Sequence, residues 1–116
     1  MPEETLFTKI INGDIPAEKL YEDDICICIR DISPQAPTHV LLIPRKPIPR
    51  LADASEEDQA ILGHLMVKAG EIARQLGVDE AFRLVVNNGA GAGQTVFHLH
   101  LHILGNKKFS EQGLGM

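Results

Sequence analysis

His98-Leu99-His100-Leu101-His102-Ile103-Leu104 places three of the chain's five histidines at every second position. A period of two is the period of a strand. His98, His100 and His102 therefore share one face, and Leu99, Leu101 and Ile103 share the other. The apolar face suits a core. The other face lines up three imidazoles, which packing alone does not require. The remainder of the chain reads as scaffold and pocket around this row.

The chain has 116 residues, 44% of them hydrophobic and 23% charged, which fits one globular domain spanning 1–116. No apolar run approaches the ~20 residues of a membrane helix. The start, Met1-Pro2-Glu3-Glu4, lacks the basic-then-apolar layout of a secretory signal. The expected location is cytoplasmic, with no membrane partner. A net charge of −5 argues against a nucleic-acid partner held by a basic surface. A local cluster of donors can still hold a small anion. The two cysteines, Cys26 and Cys28, lie in Ile25-Cys26-Ile27-Cys28-Ile29 and read as buried thiols, with a metal pair or redox role as the alternative.

In chain order, Thr5 to Asn12 carries a helical stripe of Leu6, Phe7, Ile10 and Ile11, stopped by Gly13. Lys19 to Glu22 suits a short strand and Asp23-Asp24 a turn. Ile25 to Arg30 is a strand buried on both faces. Asp31-Ile32-Ser33-Pro34-Gln35-Ala36-Pro37 is a loop stiffened by two prolines. Thr38 to Pro44 is the next strand, and Arg45 to Arg50 a connector.

Ser55 caps a long helix that runs to Leu76, with Gly77 beyond it. His64 falls on the solvent side of that helix. Gly63 and Gly70 share a face that would admit a second element or subunit. Phe82 to Asn87 is a strand, Asn88 to Gly93 a glycine-rich loop, and 105–116 a tail that orders only if something docks it.

Clustered histidines first suggest zinc. Alternate residues lie ~6.6 Å apart, so three in a row reach over ~13 Å and cannot all converge on one ion. A workable zinc site would combine two of them with His39. Nucleophilic catalysis fits better, and no metal or other cofactor is expected. A neutral imidazole attacks through Nε2 when its Nδ1 proton is held by an acceptor. His100, with a ring on either side, is the best placed. Gly89, Gly91 and Gly93 permit positive φ and close backbone approach to an anion. With Gln94 and Thr95 running straight into His98, the loop reads as a phosphate cradle. Asp31, at a strand end, could cap a turn or accept ribose hydroxyls.

The run His98–Leu104 and the block Asp31-Ile32-Ser33-Pro34-Gln35-Ala36-Pro37-Thr38-His39 resemble the histidine triad family, and within it the Hint branch. Leu6-Phe7-Thr8-Lys9-Ile10-Ile11, Gly63-His64-Leu65-Met66 and Gly93-Gln94-Thr95-Val96-Phe97 extend the likeness across roughly residues 4 to 105.

The resemblance implies an α+β fold: a mostly antiparallel five-stranded sheet, one long helix and a short N-terminal helix. The sheet would continue across a homodimer through Ser55–Leu76 and Phe82–Asn87. It implies metal-free cleavage of the P–N bond of purine nucleoside phosphoramidates through a nucleotidyl-histidine. The alternatives are a dinucleoside polyphosphate hydrolase of the same family and a non-catalytic nucleotide-binding regulator.

By the same resemblance, His100 is the nucleophile, His98 and His39 support the row, and His102 contacts the phosphate. Asn87, Gly93, Gln94 and Thr95 line the phosphate side. Asp31 binds ribose, and Phe7, Ile10, Ile15, Ile29 and Ile32 form the base pocket. Two positions depart from the branch. Ile29, followed by Arg30, stands where Phe is frequent, and the tail lacks the Trp-Pro-Pro-Gly ending.

Overall fold

The computed structural model describes residues 4–111. Its centre is β3 (Thr38–Pro44), whose β-branched and leucine residues are almost all buried. Around it lie β1 (Lys19–Glu22), β2 (Cys26–Arg30), β4 (Phe82–Val85) and β5 (Leu101–Gly105), in the order β1-β2-β3-β5-β4. Every neighbouring pair is antiparallel. The fold is thus the expected α+β arrangement, with β1 and β4 at the edges.

Both faces of the sheet are covered. On one, the long helix α2 (Gln59–Gln75) packs Leu65, Ala69 and Ile72 against Cys26, Cys28, Val40, Leu42, Leu101 and Ile103. On the other, Phe7 and Ile10 of the short helix α1 (Leu6–Ile11) meet Ile27, Ile29, Leu41 and Ile43. The alternation of β2 between cysteine and isoleucine is this two-sided burial. Both thiols are free, and burial pushes each up to about 12, so they pack as small hydrophobes.

Several elements differ from expectation. The ladder of β5 starts at Leu101, not His98. The position opposite Leu99 on β3 is Pro44, which has no N–H to exchange. Leu99 N–H turns instead to Ile48 O, at 2.7 Å. The Ser55 segment begins with a 3-10 turn, Glu56–Asp58, and the α-helix proper starts at Gln59. There Ser55 N–H donates to Asp58 Oδ2, while Lys46 Nζ reaches Asp58 Oδ1 at 2.6 Å. β2 begins at Cys26 and β4 ends at Val85.

His64 is not merely solvated. Its Nε2 lies 2.7 Å from Asp23 Oδ2, so α2 is clasped to the β1–β2 turn. Asp23 also accepts from Tyr21 Oη–H and from the Ile25 and Cys26 N–H groups. A Cβ at Gly63 or Gly70 would meet nothing within 4 Å, so no element of the described chain approaches these glycines. The tail is docked as far as it is described. Asn106 Nδ2 donates to Thr38 Oγ1, Lys107 Nζ to Gln35 O, and the Arg83 guanidinium covers the Phe109 ring at 4.6 Å. The remainder of the expected tail, 112–116, lies outside the described residues.

Candidate active site

Register brings the histidines together. His102 pairs with Leu41 and His39 with Leu104, so both rings stand on the α1 side of the sheet. A cavity of about 530 Å³ opens over them. It is walled by Leu6, Phe7 and Ile10 from α1, and by Ile29 and Leu41 from the sheet. The other lining residues include Arg30 to Ser33, Gln35, Asn87, Gly93, Thr95 and Val96. His39, His100 and His102 line its floor.

Hydrogen bonds fix the tautomers. His100 Nδ1 lies 2.8 Å from His98 O, and a carbonyl only accepts, so Nδ1 carries the hydrogen. His100 Nε2 is then the bare nitrogen. Gln35 N–H donates to His39 Nδ1 at 2.9 Å, which puts the His39 hydrogen on Nε2. His39 Nε2 lies 2.9 Å from His102 Nδ1, so His102 accepts there and carries its own hydrogen on Nε2. His98 Nε2 donates to Pro44 O at 2.7 Å, leaving its buried Nδ1 without a partner among the described residues.

All four rings are held neutral. Burial is the main cause at each, and lowers His39, His98 and His100 below the usual imidazole value. The Asp31 carboxylate opposes it at His39 and His100. His102 suffers burial and two neighbouring imidazoles, and falls to about 4. Around neutrality the row therefore presents one bare Nε2 at His100, the state a nucleophile or base requires. Phe7 meets the His100 ring edge to face, with centroids 4.9 Å apart.

A family model described as HIT domain matches residues 12–109. The chain belongs to the HIT family. It is 45% identical over 108 residues to the purine nucleoside phosphoramidase of Escherichia coli, covering 92% of this chain and 91% of that one. It is 61% identical over 110 residues to an uncharacterised HIT-like protein of Synechocystis, covering 95% and 96% respectively. Among solved structures, a HIT family hydrolase from Legionella pneumophila superposes with a TM-score of 0.90 at 41% identity, over 93% of this chain and 97% of that one. A histidine triad protein from Clostridium difficile gives 0.89 at 40%, over 96% and 98%.

Within the HIT fold, the expected residues fall into two groups. His39, His100, His102, Asp31, Ile32, Phe7, Ile10, Ile29, Asn87, Gly93 and Thr95 line the cavity. His98, Gln94 and Ile15 do not. Ile15 packs behind the wall, against the cluster of Phe7, Ile10 and Ile29. His98 is buried below the floor, where it offers its carbonyl to His100. Gln94 is 3% exposed and is engaged with backbone groups. Of the loop glycines, Gly89 and Gly93 adopt φ of 90° and 95°, whereas Gly91 sits inside a 3-10 turn without a positive φ.

Asp31 caps its own turn, accepting from Ser33 N–H through Oδ1. Its Oδ2 lies 3.4 Å from His39 Nε2. Asp31, His39 and His102 thereby bring three ligand atoms within 4.8 Å of one another. Two of those atoms already share the His39–His102 hydrogen bond. Asp23, Cys26 and His64 form a similar group, in which the carboxylate is already satisfied by four donors.

Leu6, Ser33, Gln35, Leu41 and Val96 also line the cavity and were not singled out from sequence. Leu41 carried a usable signal, because it lies two residues from His39 on the same strand face. Ile32 is 93% exposed at the rim, as an apolar lip rather than a buried wall.

Proposed function

We propose that this HIT protein cleaves the P–N bond of purine nucleoside phosphoramidates. The observation that carries the reading is the bare His100 Nε2, fixed by the Nδ1–H bond to His98 O and facing the cavity. His100 Nε2 attacks the α-phosphorus, the P–N bond breaks, and the amine departs with a proton taken from solvent at the open side of the cavity. Water then attacks the nucleotidyl-histidine and releases the nucleoside monophosphate. The Nε2–H of His102 stabilises charge on the phosphoryl oxygens. The Asp31 carboxylate accepts from ribose hydroxyls, and the Phe7, Ile10 and Ile29 wall takes the base. The phosphoramidase of Escherichia coli, 45% identical, supports the substrate class.

The enzyme is further proposed to be a homodimer. Met66 and Val67, 59% and 62% exposed, form with Gly63 and Gly70 an apolar stripe along α2, and β4 is an open sheet edge.

The test is hydrolysis of adenosine 5′-phosphoramidate by wild type and His100→Ala, each with and without EDTA. Activity that survives EDTA and vanishes in the variant is expected. Faster cleavage of a diadenosine polyphosphate would replace the substrate class, AMP binding without turnover would leave a regulatory binder, and loss with EDTA alone would bring back a metal.

A further inference from the structure

Gln94 stands between two cavity-lining residues, Gly93 and Thr95, yet its side chain turns the other way and is almost wholly buried. Its amide is used at both ends. Oε1 accepts from Gly89 N–H at 2.8 Å, while Nε2 donates to Pro49 O at 2.8 Å and to Val96 O at 3.0 Å. Gln94 N–H returns to Gly89 O at 3.1 Å. Residues 89–94 are thus tied into a closed loop by one residue, through both its backbone and its side chain.

The connector after β3 provides the other half of the arrangement. Pro44 O holds the His98 ring, Ile48 O takes Leu99 N–H, and Pro49 O takes the Gln94 amide. The segment that orients His100 and the loop that presents Gly93 and Thr95 therefore hang from the same short stretch, 44–49. We infer that Gln94 is a positioning residue that registers the phosphate side of the cavity to the nucleophile's frame without touching substrate. The inference rests on the nucleotide reading proposed above.

Gln94→Glu and Gln94→Met separate this role from a general loss of structure. The carboxylate keeps the acceptor for Gly89 N–H, loses both donations, and faces two carbonyl oxygens. Methionine has similar volume and makes none of the bonds. AMP and adenosine affinities are measured by calorimetry from pH 5 to 9, each relative to wild type at the same pH, on protein shown folded by thermal unfolding.

The expected result is AMP affinity reduced roughly 10-fold or more in Gln94→Met at every pH, with adenosine within about 2-fold, since base and ribose contacts lie elsewhere. In Gln94→Glu the AMP deficit shrinks at acid pH, where the protonated side chain regains a donor. Amide exchange at residues 88–93 is faster in Gln94→Met than in wild type.

Equal AMP affinity in all three proteins, or an adenosine loss matching the AMP loss, overturns the inference. A wild type that binds no AMP overturns the nucleotide reading instead. The exchange measurement then still decides whether Gln94 holds the loop, and unchanged exchange overturns that too.

Discussion

Phe7, on the short N-terminal helix, meets the His100 ring edge to face at 4.9 Å and an interplanar angle of 78°. The residue proposed to touch the base therefore also bears on the proposed nucleophile. Phe7→Ala removes a buried ring and is expected to cost about 3–5 kcal/mol of stability. Phe7→Leu should cost roughly 1.5 kcal/mol or less. Because leucine keeps the wall but not the edge contact, kcat for the phosphoramidate should fall in Phe7→Leu even where the fold is sound. Urea unfolding together with steady-state kinetics checks both parts.

Stability should decline on the acid side in two separate windows. His102 falls from 6.5 to about 4 in the folded chain, and His39, His98 and His100 are lowered as well. The unfolded chain then takes up protons below pH 6.5 that the folded chain refuses. Stability is full above 6.5 and is lost as pH falls toward 4, by on the order of 3 kcal/mol for His102 alone.

At Asp23 burial works the other way, but Tyr21, the Ile25 N–H, His64 and the Cys26 N–H hold the carboxyl well below its usual 3.8. That contribution is present above 3.8 and disappears below it. Unfolding free energies measured between pH 3 and 8 should show the first decline beginning near 6.5. A curve flat down to pH 4 would contradict the neutral row.

Asp23→Ala strips the clasp between the β1–β2 turn and α2. The expected loss is roughly 2–3 kcal/mol, appropriate to hydrogen bonds on a charged acceptor. The clasp sits on the α2 side of the sheet, away from the cavity, so kcat/KM at 25 °C should be unchanged. Thermal unfolding and an initial-rate assay on the same preparation test the pair of statements.

Val67→Glu places a charge in the exposed stripe of α2. Sedimentation velocity at micromolar concentration should show wild type as a dimer and the variant shifted to monomer. A wild-type monomer would refute the proposed assembly.

Much of the cavity could be read from spacing. The alternation in His98–Leu104 put His100 and His102 on one face, and the Pro-rich block put Asp31 at a strand end. Pairings between distant segments were not legible. His102 meets His39 across 63 residues of chain, and α2 meets Asp23 across 41. His64 read as solvent-facing because its partner lay on a turn that no helical period reports. The late start of β5 required knowing that Leu99 would face Pro44. Gln94 was grouped with Gly93 and Thr95 by adjacency, and a period of two would set it on the histidine face; its inward turn follows from hydrogen bonds to Gly89, Pro49 and Val96 that no period reports.

The hydrogen-bond chain from Gln35 through His39 to His102 has a direction. It begins at a peptide N–H, which is far too weak an acid to give up its hydrogen at neutral pH, and every bond points toward the cavity. A hydrogen lost from His102 Nε2 could not be replaced from within. The row is therefore a polarised rail and not a proton conduit. In the proposed reaction it can meet negative charge on a phosphoryl group with three dipoles in series, but any proton that leaves with the amine has to enter from the open side of the cavity.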